Sequence, residues 1–214
     1  MSVFFTRRGE APVLGKLLSD YAEGDIVILN ENGYPVEFYV AKHDYESGLN
    51  GTGRTLLVRK DCYDTRAFGS NNAYASSAID TWLNGTYKVL LDTDVREAIG
   101  ATKFYYTPGA GNYTTTTLER SVFLLSSWET CGQGDRREGS QLPISSTLRH
   151  AYLEGNEIFW WTRSPSVTGS VETFVVYGNA FSFDCTQTHG SRPCFTIQGT
   201  AKFDPDTNEF LKVM

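Results

Sequence analysis

The chain has no apolar run long enough to span a bilayer, no block of like charge, no CxxC pair and no repeat of fixed period, and each absence removes a class of protein. A spanning helix needs about 20 consecutive apolar residues, so membrane insertion is not expected. Lys and Arg number 19 against 25 Asp and Glu, a formal net charge of -6 with the charges scattered. Without a basic stripe there is no electrostatic footprint for nucleic acid or for an anionic membrane surface. Cysteine is sparse and dispersed: Cys62, Cys131, Cys185 and Cys194 show no metal-ligand spacing and no clustered His beside them, so neither a zinc site nor a redox motif is signalled. Cys185 and Cys194 are close enough in sequence to bridge, but free reduced thiols are expected in a cytoplasmic product. Met1 to Glu10 carries Arg7 and Arg8 with no apolar run or cleavage site after them, so no signal peptide and synthesis in a cytoplasm are expected.

What is present is enough for one sizeable core: 214 residues, 40% hydrophobic and 14% aromatic. Residues 1–20 differ from the rest, with Phe4, Phe5, Arg7, Arg8 and Pro12 leading to Leu14, Leu17 and Leu18. They read as an N-terminal arm or attachment segment, or as an ordered first strand or a frayed tail; residues 21–214 form the main domain. Ile26 to Leu29, the Asn32-Gly33 pair and the alternation of Val36, Phe38 and Val40 with Glu37 and Tyr39 predict a hairpin. Arg54 to Lys60 reads as a further strand, and Lys103 to Tyr106 as another before the turn at Pro108-Gly109. Ser76 or Ser77 caps a predicted helix through Leu83, closed by Asn84-Gly85, and Asp92 or Thr93 caps a second ending at Gly100. Thr114 to Thr117 reads as polar loop, Val122 to Leu125 as core, and residues 129–143, with three glycines and five charges, as a long surface loop. Ser145 or Ser146 caps a third predicted helix through Leu148, Ala151 and Tyr152, after which loops and short strands follow.

The most specific feature is the run Trp160-Trp161-Thr162-Arg163-Ser164-Pro165, followed 25 residues beyond that proline by Gly190-Ser191-Arg192-Pro193. These two segments, with Leu56 to Asp61, Trp82-Leu83-Asn84 and Phe123 to Ser126 in the same order, resemble a family of phage-encoded and gut-bacterial proteins. There, W-W-x-R-S-P and G-x-R-P segments bracket a hypervariable stretch. The resemblance implies an α+β, C-type-lectin-like fold with short strands, two or three helices and a loop-rich C-terminal third. That fold is shared with formylglycine-generating enzymes and with the variable proteins of diversity-generating retroelements. In those proteins adenines of Asn codons are replaced, which cannot yield Glu, Gln, Lys, Met or Trp. Between Ser166 and His189 only Glu172 and Gln187 belong to that unreachable set, so they are fixed positions or come from other codons.

Consecutive tryptophans on a strand point to opposite faces, and each ring has roughly 150–250 Å² to bury, so Trp160 and Trp161 are expected in the core rather than at a ligand. Arg163 and Arg192 are expected to tie the loop ends to backbone carbonyls or carboxylates, and Pro165 and Pro193 to fix where the chain leaves and returns. The variable segment 166–189 mixes Phe174, Tyr177, Phe181 and Phe183 with small polar residues, the composition of a paratope; an ordinary hairpin with aromatics turned inward is the competing reading. One face at Phe174, Val175 and Val176 is expected in the core, and Phe181, Phe183 and Asp184 are expected to be exposed. Thr168, Ser170, Glu172, Val176, Tyr177, Asn179, Phe181, Phe183, Asp184, Gln187 and His189 are the expected ligand contacts.

The expected role is ligand or receptor binding, as a phage tail-associated variable protein that recognises a host-surface protein or glycan. The alternative is a structural virion module that assembles with other virion proteins through residues 1–20. An enzyme is not expected. The cysteines lack the context of the formylglycine-generating family, His43, His150 and His189 are far apart, and the calcium motif of sugar-binding lectins is missing. No catalytic residue, metal or cofactor is assigned; virion tail or cell surface is the expected location, and a homo-oligomer is left open.

Overall fold

Asn32 and Gly33 both take positive φ, 55° and 78°, as a two-residue hairpin turn requires, and the alternating runs on either side fold back on each other. In the computed structural model residues 15–167 and 172–211 are described. The strands in chain order are β1 (Lys16–Leu17), β2 (Ile26–Glu31), β3 (Tyr34–His43), β4 (Arg54–Arg59), β5 (Asp64–Ala67), β6 (Thr102–Tyr106), β7 (Thr116–Arg120), β8 (Tyr152–Leu153) and β9 (Asn156–Glu157). They continue with β10 (Trp160–Pro165), β11 (Glu172–Tyr177), β12 (Asn179–Asp184), β13 (Thr188–Ser191), β14 (Cys194–Gln198) and β15 (Lys202–Phe203). The short helices are α1 (Ser47–Asn50), α2 (Ala78–Trp82), α3 (Lys88–Leu90), α4 (Thr93–Ala98), α5 (Ser127–Cys131) and α6 (Ser145–Leu148). The class is α+β, as expected, with strands dominant.

Two sheets carry the architecture, one in the order β14-β4-β3-β2 and one in the order β12-β11-β10-β13-β5. In the second sheet β10 and β13 run parallel, meeting at Trp160 and Gly190, while the other neighbours are antiparallel. The core fills from both sheets: Leu56, Leu57 and Val58 of β4 and Trp160 and Trp161 of β10 are fully buried. Phe38 packs on Phe195 at 5.3 Å and Phe104 stacks on Phe123 at 4.5 Å between ring centres. As the alternation predicts, the two tryptophans divide between faces. Trp161 donates from Nε1 to the Arg66 carbonyl at 2.8 Å, and Trp160 lies under the Arg192 guanidinium, 5.0 Å from ring centre to Cζ.

Both arginines act as anchors. Arg163 is completely buried and donates to the carbonyls of Tyr105, Leu124 and Glu138 and to the carboxylate of Glu129, the last at 2.7 Å. Glu129 also accepts from the Tyr45 hydroxyl at 2.6 Å and from the Ser126 N–H at 2.8 Å, closing a capping box on α5. Arg192, equally buried, donates to the carbonyls of Arg59, Lys60 and Leu148. The four cysteines are free, and all are buried.

Several local expectations give way to tertiary partners. Residues 132–143 form the expected surface loop, mostly exposed and without helix or strand, but α5 occupies the start of the span and Glu129, Glu138 and Leu142 are buried, because Arg163 and the hydroxyl of Ser164 draw the two carboxylate-bearing residues inward. Thr116 and Thr117, read as loop, begin β7 by pairing with Tyr106 and Tyr105. The helix opened by Ser77 does not stop at Asn84-Gly85 but continues as a π-turn over Leu83–Tyr87. The Asn84 amide is spent on the Ser121 and Val122 backbone rather than on a cap. The third helix ends at Leu148 instead of reaching Tyr152, since the carbonyls of Leu148 and Arg149 are taken by Arg192 and by the Gly178 N–H. Of the expected arm, residues 1–14 lie outside the described residues; Lys16 and Leu17 pair with β15 and Leu18 is buried, so residues 15–20 belong to the body.

Replacing Arg163 by Met strands Glu129 without its cation in a dry environment, for which a loss of about 3–5 kcal/mol is expected. Urea denaturation measures it; Arg163→Lys fails to restore stability because one ammonium cannot span the same carbonyls. A Met variant within about 1 kcal/mol of wild type, the worth of an exposed pair, would contradict this account.

Candidate functional site

Cross-strand register sorts the β11–β12 hairpin into two faces. Trp161 lies opposite Val175, which lies opposite Phe181; Thr173 is opposite Phe183 and Tyr177 opposite Asn179. Directly opposed residues share a face, so Phe181, Phe183 and Tyr177 rise on the side that carries Trp161. The other face carries Trp160, Val176, Ala180 and Ser182.

On the first face the rings form one patch centred on Phe159. Its ring stacks on Tyr177 at 4.7 Å and meets Phe181 at 5.6 Å and Phe183 at 5.2 Å edge to face. His189 of β13 completes the cluster, 4.8 Å from Phe183 and 4.7 Å from Trp161. Tyr177 and Phe181 keep 39% and 44% of their surface exposed, which makes the patch partly solvent-facing, while Val175 and Trp161 on the same face are buried. Beside it opens a shallow hollow of about 380 Å³ between Thr65, Glu157, Phe159, Tyr177, Thr188 and His189.

The expected contacts therefore separate. Tyr177, Phe181, Phe183 and His189 come together in the patch, with Asn179 exposed at the hairpin end, where its side-chain oxygen accepts from Gln133 at 2.8 Å. Gln187 is exposed in the turn after β12, where its N–H reaches the Asp184 carbonyl. Glu172 and Asp184 stand opposite each other at the far end of the hairpin, half-buried, away from the patch. Glu172 accepts from Ser182, and Asp184 accepts from the N–H and hydroxyl of Thr186, which hold its carboxyl below the usual range. Val176 is corrected: it is fully buried on the opposite face and offers nothing to a ligand. Phe181 is exposed as expected, whereas Phe183 and Asp184 are half-buried, and both Val175 and Val176 are core. Thr168 and Ser170 lie outside the described residues.

Phe159, the hub of the patch, was not expected because it precedes the Trp-Trp run. The period of two places residue 159 on the same face as 161, and that spacing was the available signal. The patch offers apolar, rigid contact surface rather than acid–base machinery. Burial pushes the Cys62 thiol up to about 12 and raises those of Cys131, Cys185 and Cys194 as well, the reverse of what a nucleophilic thiolate needs. Among the described residues no three His, Cys, Asp or Glu side chains gather as a metal site.

Burial also lowers the His189 pKa below 6.5. Because the folded chain favours the neutral ring, the unfolded chain binds more protons below that value, and the contribution of His189 to stability is lost as pH falls from 6.5 through the lowered folded pKa. Melting curves of wild type and His189→Gln across this window check the sign: the wild type loses more on acidification than the variant. Equal losses would remove His189 from the account.

Comparison with curated proteins and with solved structures gives no match. A family model, described as "Domain of unknown function (DUF6273)", matches residues 52–199, the span that runs from β4 through both arginine anchors and the patch to β14. The chain belongs to this DUF6273 family.

Proposed function

We propose that this chain is a binding protein, not an enzyme, and that it recognises a host-surface protein or glycan through the aromatic face of the β11–β12 hairpin. The observation that carries the reading is the patch of Phe159, Tyr177, Phe181, Phe183 and His189, mutually packed yet partly open to solvent. Soluble proteins bury aromatic rings where they can, and a cluster left open on a rigid sheet is a recognition surface. Rings that brace one another lose little further freedom when a ligand arrives.

The finer reading, a C-type-lectin-like variable protein carried on a phage tail or displayed at a cell surface, is supported by the order of the sequence motifs and by the behaviour of the two arginines. Arg163 and Arg192 hold the strands on which the segment begins and ends, and neither reaches the patch. A scaffold of that kind tolerates exchange of the side chains between its anchors.

Tyr177→Ala and Phe181→Ala, combined, test the proposal. The labelled protein is applied to a panel of intact bacterial cells and to a glycan array, and melting is followed in parallel. A bound signal in wild type that falls at least tenfold in the double variant, about 1.4 kcal/mol or more, with melting little changed, supports the reading. Unfolding of the variant would make the rings structural, and undiminished binding would place recognition elsewhere.

A further inference from the structure

The two main sheets have four edges, and three of them are covered or guarded. The β2 edge is bridged by Glu209 and Leu91, and the β14 edge by Phe123 and Ile99. The β5 edge is four residues long and carries the charges of Asp64 and Arg66. The fourth edge is β12, six residues in unbroken register with β11. Among the described residues no strand but β11 pairs with it; beyond its pairing with β11 the Asp184 carbonyl accepts from the Gln187 N–H, and one residue past its end the Cys185 carbonyl accepts from the Phe68 and Gly69 N–H groups, which leaves residues 179–183 of the edge without another backbone partner. Alternate N–H and C=O groups of such a strand point outward, ready for another strand. Proteins usually blunt an edge of this kind with Lys, Pro or a bulge. The sequence Asn-Ala-Phe-Ser-Phe-Asp has none of these, and its one charge, Asp184, sits at the end.

We propose that β12 pairs antiparallel with β12 of a second copy of this chain, about a two-fold axis through Ser182. The strand is complementary to itself in that register. Ser182 meets Ser182 of the second copy, Phe181 meets Phe183, and Ala180 meets Asp184, so no like charges oppose each other, and aromatic faces aromatic. An axis normal to the sheet keeps each face on its own side. The two sheets then run on as one, and the rings of both copies join in a single composite face that is left open. The pairing stands on the edge alone; that the joined face binds a ligand rests on the function proposed above.

Sedimentation velocity over a wide concentration range, with intact chain, tests it. Wild type is expected to sediment as a dimer, and Ser182→Glu, which sets two carboxylates against each other across the axis at an exposed position, as a folded monomer. A second variant fixes the register: opposed residues of an antiparallel pair lie about 4.5–5.5 Å apart at Cα, within disulfide range. Under oxidised glutathione Ser182→Cys should therefore form a covalent dimer, and Val167→Cys, exposed but off the edge, should not. A wild type that stays monomeric, or crosslinking no faster at 182 than at 167, overturns the pairing. A monomer that still binds cells refutes the pairing and spares the ligand reading, whereas a dimer that binds none upholds the pairing and removes that reading.

Discussion

The ion pair of Arg163 with Glu129 is the constraint on which the C-terminal half is built. Both side chains are completely out of water, where an uncompensated charge costs several kcal/mol. The fold accepts them because the lone pairs and N–H groups around them are spoken for. The guanidinium reaches Tyr105 at the end of β6, Leu124 in the buried run before α5, Glu138 beyond it and Glu129 within it. Glu129 in turn holds Tyr45 and the start of α5. Segments far apart in sequence converge on one cation, and β10 is fixed at their meeting point.

Arg192 solves the same problem differently. It has no carboxylate partner; three carbonyls and the face of Trp160 surround it. Burial lowers its pKa, yet a guanidinium starts so high that it remains a cation. Carbonyls that end α6 and follow β4 supply partial negative charge already oriented toward it, so little reorganisation is needed. The two anchors sit on neighbouring strands: Arg163 on β10 and Arg192 just past β13, joined where Trp160 meets Gly190. The hairpin β11–β12 extends sideways from this base, and the hydrogen bonds of the two guanidinium groups go to other segments.

Much of this was legible in the sequence because it depends on local pattern. The Asn32-Gly33 hairpin, the Ser77 cap, the burial of both tryptophans and the scaffold role of both arginines follow from alternation, turn chemistry and donor geometry. What was not legible depends on partners distant in sequence. Glu129 and Glu138 look like solvated charges until Arg163 is placed beside them, and the stop of α6 depends on carbonyls claimed from forty or more residues downstream for Arg192. Within the hairpin, composition singles out Tyr177 and Phe181, which are exposed, but not the face on which each residue lies. Val176 failed because consecutive valines between Trp160 and Trp161 partners leave no solvent side for either, and Phe159 was missed because the bracket motif begins one residue later.

The packing of this face divides between buried and half-exposed side chains. Val175 and Trp161 lie beside the rings on the same face and are buried, so the inner strands β10 and β11 keep buried packing of their own without Phe181 or Tyr177. Each of those rings hides only part of its surface, and at about 25 cal/mol per Å² a half-exposed ring contributes correspondingly less to folding than the fully buried Trp161. Edge-to-face and stacked contacts among Phe159, Tyr177 and Phe181 nevertheless restrain the rings, since such pairs add about 0.5–1.5 kcal/mol beyond area. Stability is therefore concentrated in the anchors and in the buried side chains of β10 and β11. The half-exposed rings of Tyr177 and Phe181 bury less area than Trp161 and Val175 and are restrained chiefly by one another, so less of the folding energy depends on them than on the buried side chains beside them.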